Sequence, residues 1–306
     1  MGERKMKVVK AVLLTILVAV CAACTDGQKT AEPEHEGVFY KVEEGEQTVY
    51  LFGSIHIGEE RMYPLDDVIE ERFEEADRLA VEVNISDYET DQEITNQLMS
   101  AGLYQGEERL SDYLPEETFE HLLEELSFMP GQEDMIDQFQ PWLATLMLTQ
   151  QAVMTTEFDP DFGVDQYFLE QASDQDIPID SLEDIEDQIN MFTQTPQDEQ
   201  IKELELTLQD MDGASEALED LQQIWLDGNE EAIEEMRDQD GETATHDTLA
   251  LDERDAHMAA EIINYLEEDN EETTFVVVGA MHLVGENSIV DQLEQHNFKV
   301  TVPSDD

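Results

Sequence analysis

The chain has 306 residues, 40% of them hydrophobic, and carries 77 Asp and Glu against 14 Lys and Arg, a net charge of −63. The length suits one large α/β domain or two smaller ones, and the apolar fraction is enough for a real core. The charge tells against nucleic-acid binding, which needs Lys and Arg for phosphate contacts, and its self-repulsion is relieved by salt, which points to saline or alkaline surroundings.

Residues 1–23 read as an export signal. Arg4, Lys5, Lys7 and Lys10 precede an apolar run, Ala11 to Ala23, that is too short to span a bilayer comfortably. The run ends in Cys21-Ala22-Ala23-Cys24, which resembles a bacterial lipobox with Cys24 as the lipidated residue, although Cys21 stands where Leu is usual. Both cysteines of the chain lie here, so the mature chain has no disulfide. The expected location is extracytoplasmic, on the cell membrane, with the N-terminal lipid as anchor and residues 24–37 as a flexible polar tether.

Val38 to Val42 and Thr48 to Phe52 read as a hairpin turning at Glu44-Gly45-Glu46. A helix is expected from about Leu65 to Ala76, a strand over Leu79 to Val83 and a helix over Asp91 to Ser100. From about residue 110 to 267 the pattern turns helical. Leu114-Pro115-Glu116-Glu117 opens one helix, and others fall around 133–155, 163–173, 183–192, 197–210, 214–226, 229–237 and 247–267. Ile177-Pro178-Ile179 could be a short strand. The tail returns to α/β, with a strand over 274–278, a helix near Ser288 to His296 and a strand from Lys299 to Val302. The simplest assembly is an α/β fold, with one sheet from the N- and C-terminal parts and a large helical insertion between them.

Two Gly-x-x-His units stand out. Gly53-Ser54-Ile55-His56 follows Val49-Tyr50-Leu51-Phe52, and Gly279-Ala280-Met281-His282 follows Phe275-Val276-Val277-Val278. An imidazole where a strand ends is well placed to bind a metal or move a proton. Gly53 and Gly279 allow a tight turn or close approach of backbone to a ligand. Glu82 lies in the apolar run Leu79-Ala80-Val81-Glu82-Val83, where a carboxylate is costly unless it meets a metal, an Arg or several donors. His, His and carboxylate is a common ligand set for a divalent metal with open positions. Arg254 opens an amphipathic helix in a chain poor in Arg, and could orient a carboxylate or stabilise an oxyanion. Each residue also has a structural reading. A strand-end His can be only hydrogen-bonded, Glu82 can face water, and Arg254 can be an ordinary ion pair. His246, His257 and His296 read as surface residues, and Asp210-Met211-Asp212-Gly213 as a turn rather than a calcium loop. There is no Gly-x-Ser-x-Gly elbow, P-loop, mature cysteine nucleophile or His-Glu-x-x-His.

The order of these residues resembles the TraB/GumN (Tiki-like) family. The resemblance is carried by Leu51-Phe52-Gly53-Ser54-Ile55-His56-Ile57-Gly58, Tyr63-Pro64-Leu65, Val81-Glu82-Val83, Pro141-Trp142, Phe162-Gly163-Val164-Asp165 and Ser181-Leu182-Glu183. Glu253-Arg254-Asp255 and Val278-Gly279-Ala280-Met281-His282 complete it. Asp255 and Met258 stand where the family commonly has Asn and an aromatic residue. The resemblance spans about residues 38 to 303. It implies an erythromycin-esterase/ChaN-like α/β fold. The Tiki branch further implies a metal-dependent protease, with manganese or cobalt favoured and zinc possible. His56, Glu82 and His282 become the metal-site candidates, Glu82 as ligand or base, with Arg254 as an electrostatic helper to hydrolysis of a peptide bond. The rivals are a non-catalytic surface protein that captures a peptide or small ligand, as in pheromone shutdown, and a haem or metal binder.

Overall fold

In the computed structural model the apolar runs read above as strands lie side by side in one sheet. The structure describes residues 37–84, 92–126, 133–238, 246–268 and 270–303. The leader, most of the tether and Cys24 lie outside them. The elements follow in chain order. They are β1 (Val38–Glu44), β2 (Gln47–Ser54), α1 (Asp67–Glu74), β3 (Arg78–Val81), α2 (Gln92–Ala101), α3 (Glu116–Glu125), α4 (Glu133–Ile136), α5 (Pro141–Met154) and α6 (Val164–Asp174). Then come β4 (Ile179–Ser181), α7 (Ile185–Gln194), α8 (Gln197–Asp210), α9 (Ala214–Leu226), α10 (Glu230–Asp238), α11 (His246–Glu267), β5 (Thr273–Gly279), α12 (Ile289–Gln295) and β6 (Val300–Thr301). The described residues divide into two compact units.

The sheet unit comprises residues 37–84, 158–184 and, among the described residues, 221–303. Its strand order is β4-β3-β5-β2-β1-β6. The hairpin pairs Val38 with Gly53 through Glu44 with Gln47, and Gly45 supplies the positive φ (63°) its tight turn needs. β2, β5, β3 and β4 run parallel. Parallel pairing brings their C-terminal ends to one edge, with Ser54 opposite Gly279 and Val81 opposite both Val277 and Ser181. The two central strands are covered on both faces: Val49, Leu51, Phe52, Val276, Val277 and Val278 are fully buried. One face packs an aromatic cluster, with Phe52 edge-on to Phe168 and Phe73 edge-on to Phe275.

Two expectations change. The sheet is not built from the chain's ends alone, because β4 comes from within the stretch read as a helical insertion and pairs with β3. The short strand suggested at Ile177-Pro178-Ile179 falls at Ile179–Ser181, where pairing with β3 fixes it. Glu82 lies just past the end of β3 rather than inside it.

The helical unit takes the described residues of 92–157 together with 185–220. Helix α5 is buried nearly all round, from Trp142 and Leu143 to Ala152 and Val153, and packs along α8. Trp142 stacks on Phe192 with ring centroids 5.2 Å apart, as core rather than as a cofactor box. The helical pattern over 133–155 is broken in two. Pro141 holds Gln140 extended (φ −69°, ψ 154°), so α4 ends at Ile136 and α5 restarts with proline in its first turn. Met211–Gly213 is a single 3-10 turn between helices.

Candidate two-histidine site

The strand ends that carry the predicted residues form one edge, which is where ligands bind in parallel sheets. Past β2 the chain enters a loop locked by glycine. A Cβ on Gly58 would stand 2.1 Å from the Phe162 carbonyl oxygen, and one on Gly163 2.7 Å from that of His56. Only glycine lets the two segments pass so closely. They exchange backbone hydrogen bonds between Gly58 and Asp159, and Val164 N–H donates to the Ile55 carbonyl at 2.9 Å. Tyr63 stacks on Tyr167 at 4.4 Å and donates its hydroxyl to the Phe162 carbonyl. This clasp fixes the first turn of α6, and with it Asp165, whose Oδ1 lies 2.9 Å from His56 Nδ1.

The second histidine is held from a different direction. His282 follows β5 in a 3-10 turn, and its Nδ1 donates to Asp255 Oδ1. A carboxylate can only accept, so each histidine carries its proton on Nδ1 and leaves Nε2 for other partners. His282 Nε2 stands 3.6 Å from Glu82 Oε1. Gly279 donates its N–H to the same Glu82 oxygen at 2.6 Å, and a Cβ there would come within 3.3 Å of it. Gly279 is therefore a cradle for Glu82. Gly53 serves the packing instead. A Cβ there would press on the Ala280 backbone at 2.9 Å, so this glycine lets β2 meet the second histidine turn, while its carbonyl accepts from Trp225 Nε1.

Arg254 reaches Glu82 Oε2 at 2.7 Å and grips Glu183 with two nitrogens, Nε to Oε1 at 2.9 Å and Nη2 to Oε2 at 2.7 Å. Glu183 is buried and its N–H donates to the Glu82 carbonyl. One guanidinium thus spans two carboxylates. On the far side of Asp255, Arg237 lies 2.7 Å from Asp255 Oδ2 and 2.8 Å from Asp252 Oδ1, and donates to the Met281 carbonyl.

These contacts set the charges. Burial alone would raise the Glu82 pKa, but His282, Arg254, His56 and the Gly279 N–H together hold it well below the usual carboxylate range. Burial would lower that of His56, yet Asp165 and then Glu82 outweigh both it and Arg254, and His56 is pushed up to about 9. Arg254 is held firmly charged by Glu82 and Glu183 despite its burial. Five carboxylates, Glu82, Glu183, Asp165, Asp252 and Asp255, face two guanidiniums and two imidazoles, so acidic groups outnumber basic ones in the site.

The structure therefore brings His56, Glu82, Arg254, His282 and Gly279 into one neighbourhood. Among the described residues, no three His, Cys, Asp or Glu side chains form a ready-made metal cage. His257 and His296 are exposed, and the His246 side chain lies outside the described residues. The residue-by-residue reading gave no role to Asp165, Glu183, Arg237 or Asp255. Asp255 does carry a signal, since it occupies the buried stripe of α11 formed by Leu251, Met258, Ala259, Ile262 and Leu266. An acid in that stripe has to have a partner.

The chain is 26% identical over 254 residues to the uncharacterized protein YbaP of Escherichia coli K12, an alignment covering 81% of this chain and 89% of YbaP. An uncharacterized protein of Treponema pallidum is 23% identical over 190 residues, covering 61% of this chain and 56% of its own length. No solved structure matches this chain. The model of the TraB/PrgY/gumN family matches residues 38–302, nearly the whole described sheet and helical units, and the chain belongs to that family.

Proposed function

We propose that this site holds a divalent cation and hydrolyses peptide bonds, in a protein displayed outside the cytoplasm by a lipid on Cys24. The observation that carries the reading is the pair of carboxylate-anchored histidines beside Glu82. A histidine that ligates a metal through one nitrogen almost always donates the other N–H to a carboxylate, carbonyl or water. His56 and His282 both have that arrangement through Asp165 and Asp255. The donor chemistry fits: two imidazole nitrogens, an ionised carboxylate and a surplus of negative charge for a cation to offset. His56 and His282 would hold the ion through Nε2, with Glu82 completing the set. Manganese, cobalt and zinc are the candidates.

When bound, such an ion supplies Lewis acidity toward a carbonyl and makes water more acidic. The chain's own residues contribute the rest. Glu82 is so readily ionised that it is a weak proton acceptor, which favours ligand over general base. Arg254 orients Glu82 and is itself fixed by Glu183, so its charge stands ready beside an oxyanion without having to move. Tyr63 and Tyr167 brace the loop that positions His56.

The finer fold reading, an erythromycin-esterase/ChaN-like arrangement, is supported by the parallel centre with an antiparallel hairpin at its flank. Localisation rests on the N-terminal sequence; among the described residues no helix is long and apolar enough to cross a membrane. The test of the activity is a peptide library incubated with manganese- or cobalt-loaded protein. Cleavage that a chelator abolishes and that Glu82→Gln reduces at least about 100-fold is expected. Tight peptide binding with no product, unchanged in His56→Ala, would replace the enzyme by a capture protein. A Soret band on haem addition would favour the haem binder.

A further inference from the structure

Asp255 is the most deeply embedded charge of the site. It is fully buried on the apolar stripe of α11, where an unpaired carboxylate would be driven to neutralise. Its Oδ1 accepts from His282 and its Oδ2 meets Arg237, itself only 3% exposed. Arg237 also donates to the carbonyl of Met281, the residue before His282. It pairs through Nη2 with Asp252, one turn before Asp255 on α11. Asp252 in turn accepts from Asn287 beyond the histidine turn. One guanidinium from α10 therefore touches both things that decide where the His282 ring points: the carboxylate on its Nδ1 and the backbone beside it.

We infer that Arg237 is a positioning residue: by balancing Asp255 inside the helix stripe and tying down Met281, it holds the His282 imidazole with Nε2 beside Glu82. Without the guanidinium, Asp255 would be buried with no cation, and its bond to His282 would have to bear the whole imbalance. The ion pair gives a registered contact between α10, α11 and the histidine turn, a use for which buried ion pairs are suited even when they add little net stability. Removing one partner of such a pair is strongly destabilising, whereas removing both charges together is far milder. Among the described residues His56 has no such support, for its carboxylate Asp165 is 23% exposed and water can do the balancing.

The use of that orientation in holding a cation rests on the function proposed above, but the link from Arg237 to His282 does not. The experiment is a double-mutant cycle on the full chain, with Arg237→Gln, Asp255→Asn and the double variant, beside the exposed control Glu235→Gln. Glutamine keeps a donor for the Met281 carbonyl, and asparagine keeps an acceptor for His282 Nδ1–H. Three quantities are read: the thermal midpoint without metal, the cobalt affinity, and the solvent exchange of the His282 Nδ1–H by NMR. Arg237→Gln should lower the midpoint by about 10 °C, weaken cobalt binding about 10- to 100-fold and speed the exchange. The double variant should recover most of each loss, and the control should change none. If Arg237→Gln does not fold, a folded double variant supports the inference and an unfolded one overturns it. Additive losses, or an Arg237→Gln with wild-type exchange and midpoint, also overturn it. A wild type that takes up no cobalt removes the cation reading alone, and the exchange rates and midpoints then decide the role of Arg237.

Discussion

The two halves of the site use one local design in two environments. His56 and His282 each follow a parallel strand, and each gives Nδ1–H to an aspartate one helix away. Asp165 and His56 are 23% and 21% exposed, and among the described residues no guanidinium pairs with Asp165. Asp255 is fully buried, His282 nearly so, and Arg237 closes the far side. The comparison shows what burial demands of the same dyad. Where water reaches the carboxylate, solvent balances its charge and the histidine can gain and lose a proton. Where it does not, the protein must provide a cation, and that cation also fixes geometry. One half of the site is thus adjustable and the other is rigid.

The sharpest way to break this contrast is to delete each carboxylate. Asp255→Ala removes one of the two carboxylate partners of Arg237 and leaves His282 Nδ1–H without its acceptor, at an expected cost of about 3–5 kcal/mol in chemical denaturation. Equal losses from Asp165→Ala and Asp255→Ala would refute the asymmetry.

A second effect is confined to the exposed half and depends on pH. The folded His56 pKa of about 9 lies above its ordinary value of 6.5. Its contribution is therefore fully present below pH 6.5 and is lost as pH rises through about 9. It amounts to at most about 3 kcal/mol in the metal-free protein. In Asp165→Asn this slope should flatten, so that wild type and variant converge in stability above pH 9. Parallel pH–stability curves for the two would contradict the assignment. The same protonation competes with a cation, so metal affinity should climb over the same window.

The smallest expected effect probes the clasp behind His56. Gly163→Ala forces a Cβ against the His56 carbonyl and should cost about 2 kcal/mol. Its structure should show the His56–Asp165 bond lengthened while His282–Asp255 stays as it was. An unshifted loop would mean that the glycine contact does not set that dyad.

Much of this was readable from residue types that are scarce in the chain. Histidine and arginine are rare enough that His56, His282 and Arg254 stand out, and Glu82 does so because it interrupts an apolar run of sequence. The helices of the middle are legible because their apolar positions recur every three to four residues. Acidic partners are harder to see. With 77 Asp and Glu, one more carries little information by itself, so Asp165 and Glu183 are visible only through the family motifs, and Asp255 through those and its place in an apolar stripe. Arg237 sits in Glu230-Glu231-Ala232-Ile233-Glu234-Glu235-Met236-Arg237, which has the look of a surface helix, and only its placement against Asp255 gives it meaning. The strand β4 is only half legible: the sequence suggests a short strand at Ile177-Pro178-Ile179, but three residues hold no period, and the pairing with β3 sets it at Ile179–Ser181.

The central claim is that both halves hold one ion. Metal analysis after manganese or cobalt loading, on wild type beside His56→Ala and His282→Ala, decides it. Close to one tightly held ion per chain is predicted in wild type, with loss of that ion in each variant and both variants still folded by circular dichroism. A wild type that retains no divalent ion, or variants that keep it undiminished, would contradict the claim.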